Sequence, residues 1–402
     1  MRYLPVNAAS YVDDFALCEP TFCGQSGRVV LRDFARYLGL PFSDNEKKSL
    51  EMALRRCFLG VETDFSLFRS QRLIVCSVSE SRQTTLLDFC QRALASGDFE
   101  SSGGVDRFCG KLQFALTWST NRVGRAVMQP LNVLAARAQA GHGECLNAAA
   151  RRAVEFFEAI LGIGLSGRRY ALRRRKRRAI LVWSDACWEP ESDRLAGIGF
   201  VIFVPDESSA DETAGKWYYA YHRVTPEFME RFVLRTQYIG QLEMLAAVAV
   251  YYSMAHHPEL ASRLRDAPVM HYIDNYSAVS ALVKGYASAI DSARIVHAFW
   301  ALVAGLGFVP WLSYVRTKGN IADVPSRLLE TRSASEEAAF AAELAFLTTE
   351  LKAEYMETVL PEVADWPTMA AAAAAVVRDG GVAVNTPGAG PSQAAAPKRR
   401  RR

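Results

Sequence analysis

Four acidic residues in the second half of the chain have the types and positions that phosphodiester chemistry requires. Asp185 follows the apolar text AILVWS, and Asp274 follows MHYI. Glu243 lies in the apolar helical text QLEMLA, and Asp323 follows the last strand-like stretch, in KGNIAD. These acids are far apart in sequence, but strands lying side by side would bring them to one edge of a sheet.

A group of four carboxylates at short range requires a counter-charge, because like charges repel strongly where little water is present. Divalent metal ions are the usual solution, since Mg²⁺ prefers hard oxygen ligands. Two such ions about 4 Å apart can clamp the attacking and leaving oxygens of a phosphodiester. The four acids therefore predict a site that holds two Mg²⁺ or Mn²⁺ ions.

Each acid also has a purely structural interpretation. Asp185 could cap a turn, Glu243 could be a surface residue of its helix, and Asp323 could be a loop acid. Asp274 and Asn275 could cap the helix that follows them, since Asp and Asn favour that position. Taken singly these structural interpretations are the stronger ones, whereas four acids in one frame of strands and helices favour the metal site.

The elements that would position the acids form an α/β pattern. Three β-rich stretches, AILVWSDACW, LAGIGFVIFV and KWYYAYHRV, are followed by the long helical text QYIGQLEMLAAVAVYYSMAHH. The strand PVMHYIDN, two helices and the strand VPWLSYVRT come next, before a last helical turn in NIADVPSRLL. The order β-β-β-α-β-α-α-β-α predicts a compact α/β domain with a mixed sheet and flanking helices.

This part of the chain resembles a ribonuclease H domain of the kind attached to retroelement reverse transcriptases. The matching segments are SDA…GIGFVI, QLEMLA, YIDNYSAVSALVKG and RTKGNIADVPSRL, within residues 179 to about 330. The resemblance implies a ribonuclease H-like fold and cleavage of the RNA strand of an RNA–DNA hybrid with two Mg²⁺ or Mn²⁺ ions. The four metal-binding acids of that family fall here on Asp185, Glu243, Asp274 and Asp323.

Residues beside these acids are expected to bind the nucleic acid. Many cellular members of the family have a histidine shortly before the last acid, whereas this chain has VRTKGNIAD there. Arg316 and Lys318 in that segment are instead expected to contact backbone phosphate, as basic residues beside a nucleic-acid cleft often do. Asn275, next to Asp274, completes the expected nucleic-acid-binding set.

Two further acids, Asp13 and Asp14, lie in the text YVDD near the start of the chain. Adjacent carboxylates cannot both be buried along one strand, so the turn of a hairpin is expected. Followed by GLPFSDNEKKS and CFLGVETD, this text resembles the palm of reverse transcriptases. The resemblance implies that Asp13 binds the catalytic metal and that Asp14 is its less essential neighbour.

Polymerase activity is not expected from this polypeptide alone. Only twelve residues precede Asp13, so the fingers and most of a palm are missing. The second carboxylate that polymerisation needs comes, in that family, from a strand far before the hairpin. A longer precursor or a partner chain could supply the missing N-terminal portion of the reverse transcriptase.

The chain is too long for one ordinary core and is predicted to form several parts. Its end has too few large apolar residues to fold, and the predicted tail is therefore disordered. The predicted parts are a partial palm (1–68), a mostly helical thumb and connection (69–167), a basic linker (168–178), the ribonuclease H-like domain (179–333), an Ala/Glu-rich helical extension (334–377) and a disordered basic tail (378–402).

The composition is that of an intracellular globular protein, in the nucleus or the cytoplasm. Of the 402 residues, 50% are hydrophobic and 22% charged, and the net charge of +4 is concentrated in RRYALRRRKRR and KRRRR. Such blocks are phosphate-facing or targeting segments, or simply a soluble linker and tail. Eight cysteines without a CxxC pair favour reduced thiols. A signal peptide and a membrane span are not expected.

Two alternatives to the hybrid-cleaving nuclease stay open. One is an inactive retroelement remnant that only binds nucleic acid through its basic runs. The other is a ribonuclease H-like nuclease with another phosphodiester substrate, because a fold does not by itself determine function. Comparing the cleavage of RNA–DNA hybrid, duplex DNA and duplex RNA would distinguish them.

Overall fold

A computed structural model describes residues 7–11, 14–18, 26–39, 53–100, 104–119, 122–165, 167–171, 177–189, 196–328, 334–360 and 382–383. An antiparallel hairpin of strands β1 (Asn7–Tyr11) and β2 (Asp14–Cys18) comes first, followed by helix α1 (Ser26–Tyr37). The two strands predicted around YVDD are therefore paired, but Asp14 is paired with Tyr11 in the strand and does not lie in the turn as expected. Asp14 is the first residue of β2, and Asp13 lies outside the described residues.

The next part of the chain combines short strands with helices. In chain order its elements are β3 (Arg55–Phe58), β4 (Val61–Asp64), α2 (Phe68–Gln71), β5 (Leu73–Val78), α3 (Glu80–Ser96), α4 (Val105–Trp118), α5 (Gln129–Gln139), α6 (Ala148–Ile163) and β6 (Arg168–Ala171). The four strands form an antiparallel sheet in the order β6-β5-β4-β3. The prediction that this part is mostly helical agrees with the four long helices α3 to α6.

Helices α3 to α6 pack around an apolar core of their own. Leu86, Phe108, Leu131 and Phe157 are fully buried there, since each helix presents apolar residues at helical spacing to its neighbours. The ends of the helices follow local rules. The α6 helix begins where the side chain of Asn147 accepts a hydrogen bond from the backbone N–H of Ala150 at 2.8 Å, a typical N-cap.

The predicted basic linker at 168–178 is only partly a linker. Its first four residues form β6, which pairs with β5 so that Arg168 lies opposite Cys76. Arg168 and Tyr170 share one face of this strand and Arg169 lies on the other, because side chains alternate in a strand. All three side chains are half-buried. A run of charged residues, a pattern typical of a solvated segment, thus contributes a strand, because backbone pairing does not depend on the side-chain charge.

A second, larger sheet follows. Its elements in chain order are β7 (Ile180–Trp188), β8 (Ala196–Pro205), β9 (Gly215–Val224), α7 (Pro226–Met229), α8 (Ile239–His256), α9 (Pro258–Leu264), β10 (Pro268–Ile273), α10 (Tyr276–Lys284), α11 (Ile290–Leu306), β11 (Val309–Tyr314), α12 (Asp323–Ser326), α13 (Ala334–Ala345) and β12 (Glu354–Tyr355). From β7 to α12 the observed order is the predicted one with the short helices α7 and α9 added. The mixed α/β class is therefore confirmed.

The sheet has the strand order β11-β10-β7-β8-β9-β12. Strands β7, β8 and β9 are antiparallel neighbours, whereas β10 runs parallel to both β7 and β11. All ten residues of β8 are buried, which requires cover on both faces of the sheet. Helices α8 and α11 contribute to a large core on one side, and Ala322, Val324 and Leu347 pack with Val201 in a smaller cluster.

The C-terminal predictions are met only in part by the described residues. Helix α13 begins the predicted helical extension and continues into a π-helical segment, Phe346–Glu350, after which β12 adds an edge to the large sheet. Strand β13 (Val382–Ala383) pairs with β6, inside the segment predicted to be disordered. The remaining residues of the predicted tail lie outside the described part of the chain.

Helices of the first part contact the large α/β part directly. The side-chain amide of Gln129 donates to the carbonyl oxygen of Ser288 at 2.7 Å, and Val123 and Ala126 belong to the same core as Trp300. Within the described ranges, no helix combines the length and apolar character needed to cross a membrane.

Candidate metal centre

Three carboxylates from three separate elements meet in the large α/β part. Asp185 lies on β7, Glu243 on α8, and Asp274 directly follows β10. One carboxylate oxygen of each lies within 4.8 Å of the others. Asp185 and Glu243 are each only 3% exposed, and Asp274 is half-buried. The structure therefore brings three of the four predicted acids into one group of oxygen donors.

Strand pairing and helix packing bring these acids together. Because β7 and β10 are parallel neighbours with Ser184 opposite Ile273, the next residues, Asp185 and Asp274, extend along the same direction. Helix α8 packs on β7 and is buried almost all round. Glu243 is the acidic exception on this apolar helix, so its carboxylate is carried into the interior beside the strands.

Asp185 is an inner residue of β7 and does not cap a turn, because pairing with β8 continues to Trp188, which lies opposite Ala196. The strand includes ACW, as the predicted stretch AILVWSDACW does. Burial of the carboxylate in mid-strand is possible because polar groups from α12 and the segment before it contact its oxygens.

Two residues that the sequence reasoning missed hold Asp185 in place. The hydroxyl of Ser326 donates to Oδ2 at 2.6 Å, and Nδ2 of Asn320 donates to Oδ1 at 3.2 Å. The Asn320 amide also donates to the carbonyl oxygen of Ser184 at 3.1 Å. Both residues are buried. The only sequence signal was the spacing of polar residues around Asp323 in the otherwise apolar text NIADVPS.

Two glycines of β8 allow α12 to approach the strand. Gly199 lies opposite Asp185, and a Cβ added there would lie 2.6 Å from the carbonyl carbon of Pro325. Gly197 has the same relation to Ser326, whose carbonyl oxygen accepts a hydrogen bond from the Cys187 thiol at 3.2 Å. The backbone of α12 thus occupies the space that side chains would take, which places the Ser326 hydroxyl beside Asp185.

Asp323 lies near the three acids but outside their close group. It is the first residue of α12, and its Oδ1 is 2.9 Å from a guanidinium nitrogen of Arg327, one helical turn later. Burial raises the pKa of Asp323, and the Arg327 charge opposes that effect. The prediction that four acids gather is therefore met by three, with the fourth paired to a cation of its own helix.

Burial and mutual repulsion raise the pKa values of the two most buried acids. Burial raises the pKa of Asp185 to about 8, the Ser326 hydrogen bond opposes this, and the charges of Asp274 and Asp323 raise it further. Burial, followed by the charges of Asp185 and Asp274, raises the pKa of Glu243 well above its usual value.

The carboxylate of Glu243 supplies a specific sign of a missing partner. Its Oε2 atom is buried and has no hydrogen-bond partner among the described residues. A buried carboxylate oxygen needs a proton, a donor or a cation, since desolvation without compensation is costly. Three hard oxygen donors around this atom fit the preference of Mg²⁺ or Mn²⁺.

A buried histidine network lies behind the acids. The Nε2 atom of His271 is 2.9 Å from the Ser184 hydroxyl, and its Nδ1 is 2.9 Å from the Tyr251 hydroxyl. Burial lowers the pKa of His271 to about 3, so its ring is neutral at physiological pH. The network ties β7, β10 and α8 together without adding positive charge next to the carboxylates.

The predicted nucleic-acid-binding residues lie around the same end of the sheet. Arg316 and Lys318 are exposed in the turn that follows β11. The side chain of Asn275 accepts a hydrogen bond from the N–H of Ala278 at 3.0 Å and so caps α10, as the structural interpretation had allowed.

Two exposed tyrosines that were not predicted lie near this acidic group. Tyr276 is the first residue of α10 and Tyr314 the last residue of β11, with ring centroids 6.3 Å apart. Tyr314 lies opposite Ile273, the residue before Asp274. Exposed aromatic rings of this kind can stack on nucleic-acid bases.

Comparison with known proteins adds little to these observations. No protein-family model matches the sequence, and no curated protein matches it. Among solved structures, one match is the crystal structure of LC9-RNase H1, described as a type 1 RNase H with the type 2 active-site motif. It is 11% identical over 48% of this chain and 92% of that chain, with a TM-score of 0.27.

Proposed function

We propose that this protein is a metal-dependent nuclease of the ribonuclease H type, which hydrolyses the RNA strand of RNA–DNA hybrids. The observation that carries the proposal is the group of Asp185, Glu243 and Asp274 carboxylates, with one oxygen of each within 4.8 Å of the others, together with a buried Oε2 of Glu243 that has no hydrogen-bond partner among the described residues. The choice of hybrid as substrate is supported by the resemblance of SDA…GIGFVI, QLEMLA, YIDNYSAVSALVKG and RTKGNIADVPSRL to that family.

The residues present fit divalent ions such as Mg²⁺ or Mn²⁺, and the resemblance to the ribonuclease H family implies two of them. Asp185, Glu243 and Asp274 would hold them, with Asp323 at the margin of the group. When bound, such ions polarise the scissile phosphodiester and lower the pKa of water to produce a nucleophile near neutral pH.

The chain's own residues would orient the acids and the substrate. Ser326 and Asn320 each donate to one oxygen of Asp185, which prevents rotation of this carboxylate and leaves its remaining lone pairs for a cation. Arg316 and Lys318 would bind backbone phosphate of the hybrid. The amide nitrogen of Asn275 would donate to the substrate, since its oxygen is engaged in the cap of α10.

A finer assignment is that the nuclease is part of a retroelement reverse transcriptase. It is supported by the YVDD text and the segments that follow it, with Asp13 as metal ligand and Asp14 as its neighbour. We expect no primer extension from this polypeptide alone. Nucleotide incorporation on a poly(rA)/oligo(dT) template that is lost in Asp13→Ala would contradict this expectation.

The nuclease proposal is tested with the purified chain and an RNA–DNA hybrid that carries a label on the RNA. We expect cleavage in Mg²⁺ or Mn²⁺ and its loss, by at least about 100-fold, in Asp185→Asn and Asp274→Asn, since metal-binding acids act as a unit. Asp88→Asn, at an exposed position of α3, is the matched control and should cleave normally.

Three other outcomes would lead to different conclusions. Wild-type cleavage rates in both Asn variants would refute the assignment of the acids. Binding of the hybrid without cleavage in either metal would favour an inactive nucleic-acid-binding protein. Faster cutting of duplex DNA or duplex RNA than of the hybrid would favour a nuclease with another substrate.

A further inference from the structure

Three arginines far from the acids in sequence form a second charged group, here called the arginine triad: Arg122, Arg125 and Arg168. Arg125 directly precedes the helical turn Ala126–Met128, Arg122 lies three residues before Arg125, and Arg168 is the first residue of β6. All three are half-buried. Arg122 and Arg125 meet at the end of α10, because the side chain of Arg122 lies against Gly285 and Arg125 donates to the carbonyl oxygen of Lys284. The charge of Arg168 acts on both, and burial, followed by the charges of Arg125 and Arg168, lowers the pKa of Arg122 to about 10.

The arginine triad has no counter-charge among the described residues. None of its members forms an ion pair within the described ranges, whereas Arg55, Arg235 and Arg327 there do. The Nε atoms of Arg125 and Arg168 are buried without a hydrogen-bond partner. Three half-buried cations that repel each other and retain unused donors are unfavourable unless an anion binds between them.

Contacts that carry no negative charge hold the three side chains in place. The Arg122 guanidinium lies 4.7 Å from the ring of Trp300. Arg125 donates to the carbonyl oxygen of Lys284 at 3.4 Å and to the Thr117 hydroxyl at 3.0 Å. The Arg168 guanidinium lies 5.2 Å from the ring of Tyr170.

A glycine permits the first of these contacts. A Cβ at Gly285 would lie 2.8 Å from the Cβ of Arg122, so a larger residue there would displace this arginine. The arginine triad is therefore preorganised, and its positions do not depend on a neutralising partner within the described chain.

We propose that the arginine triad binds a phosphodiester group of a nucleic-acid backbone and so forms a second anchor for the substrate. Guanidinium groups match phosphate oxygens with paired, charge-assisted hydrogen bonds. The inference builds on the proposed nuclease function only in identifying the anchored strand as substrate.

The distance between the two sites suits one duplex. Helix α10 begins two residues after Asp274 and ends at Lys284, whose carbonyl oxygen accepts from Arg125. Nine helical residues span ~14 Å at 1.5 Å each. At ~3.4 Å per nucleotide along one strand, this is about four nucleotides. One bound duplex can therefore reach the acidic group and the arginine triad together.

The test is the salt dependence of binding by the full chain. A fluorescent RNA–DNA hybrid is titrated in EDTA, without cleavage, at chloride concentrations between about 50 and 200 mM, and the logarithm of affinity is plotted against that of salt. The double variant Arg122→Gln/Arg125→Gln and the single variant Arg168→Gln should each bind more weakly. Their slopes should fall by about 1 for each phosphate that the variant no longer neutralises.

Control variants separate charge from folding. Arg137→Gln changes an exposed arginine of α5 and should leave the slope at the wild-type value. Arg122→Lys/Arg125→Lys keeps both charges, so its slope should stay near that of wild type. If the double Gln variant does not fold, as judged by circular dichroism, Arg168→Gln and the Lys variant decide the question.

The outcomes distinguish this proposal from neighbouring ones. An unchanged slope in folded Arg168→Gln and Arg122→Gln/Arg125→Gln would overturn it. A second result would also overturn it: inorganic phosphate at constant ionic strength displaces the fluorescent hybrid, but the Gln variants bind the hybrid as wild type does. The site would then bind free phosphate. Because binding is measured without metal, reduced slopes would support the arginine triad even if cleavage assays refuted the nuclease.

Discussion

At the scale of single residues, the unusual feature is a pair of carboxylates buried almost completely. Asp185 has donors on both of its oxygens, whereas Oε2 of Glu243 has none within the described residues. Proteins bury such groups only with protons, donors or cations. Substitutions should therefore test Asp185 through the donors that hold it and Glu243 through the cation that it would bind.

Removing the donor of Asp185 should weaken the metal site without unfolding the protein. In Ser326→Ala, Oδ2 loses its hydrogen bond of 2.6 Å, and the carboxylate becomes free to rotate. Mutation of a group that orients a metal ligand typically lowers metal affinity or activity by about 10–100-fold. We therefore expect hybrid cleavage and Mg²⁺ affinity to fall about 10-fold. Magnesium titrations of the cleavage rate measure both. Ser262→Ala, an exposed serine of α9, is the control; equal behaviour of the two variants would contradict the role of Ser326.

Divalent ions should stabilise the folded protein through Glu243. A ligand that binds only the folded state adds about 2.7 kcal/mol at a hundredfold excess over its Kd. The unfolding temperature of wild type should therefore rise when Mg²⁺ replaces EDTA, and that of Glu243→Gln should not. Thermal scans at several Mg²⁺ concentrations measure this, with exposed Glu259→Gln as the control. A full response of Glu243→Gln to Mg²⁺ would exclude this carboxylate as a ligand.

At the scale of secondary-structure elements, the centre depends on how closely α12 packs against β8. Gly197 and Gly199 leave room for its backbone, and this contact carries Ser326 to Asp185 and places Asp323 beside the group. The acids on β7, α8 and β10 need only the sheet and its covering helix. The positions of Ser326 and Asp323 in the site therefore depend on one short helix, α12.

A methyl group at Gly199 should separate α12 from the sheet. The new Cβ would meet the backbone of Pro325 and Ser326, which cannot give way as a flexible side chain would. We expect Gly199→Ala to lower the free energy of unfolding by about 1–3 kcal/mol and to abolish most cleavage. Urea unfolding and the hybrid assay measure the two effects. Gly240→Ala, in α8 with open space around the glycine, should retain activity; the prediction fails if Gly199→Ala does too.

At the scale of the whole molecule, the helical part and the large α/β part are joined by a mixed interface. Gln129 donates to Ser288 across it, and the ring of Phe156 on α6 lies 5.5 Å from that of His297 on α11. Both ring nitrogens of His297 are buried without a hydrogen-bond partner in the described residues. Charging this ring would therefore oppose the packing of α11 against α6.

The interface should consequently weaken in acid. Burial lowers the pKa of His297 from 6.5 to about 4, so the unfolded chain takes up its proton first as the pH falls. Stability that is present above pH 6.5 is lost between about pH 6.5 and pH 4, and roughly 2 kcal/mol of it is lost by pH 5. Urea unfolding of wild type and His297→Phe at pH 7 and pH 5 measures the difference.

Between pH 7 and pH 5, we expect the free energy of unfolding of His297→Phe to fall by roughly 2 kcal/mol less than that of wild type. Exposed His142→Phe is the matched control and should behave as wild type does. If the stabilities of wild type and His297→Phe fall equally between the two pH values, protonation of His297 does not oppose folding.

The amino-acid sequence by itself determined the order of elements in the large α/β part and the identity of the acids. Apolar runs of strand length, a long apolar helix and acids next to them are local patterns, and the structure reproduces their order. The proximity of Asp185, Glu243 and Asp274 was an expectation that followed from this order. Such inferences succeed because hydrophobic periodicity sets secondary structure over short distances.

Only the tertiary structure decided which partners each charge has. Asp185 receives a hydrogen bond from a residue 141 positions later, Asp323 is paired with Arg327, and Arg168 lies in a strand beside two other arginines. The contacts of Asp185 arise between elements that pack closely, and glycines or buried helices determine how near these elements come. Local sequence patterns carry no information on that distance, because it is set by the joint packing of many residues remote in sequence.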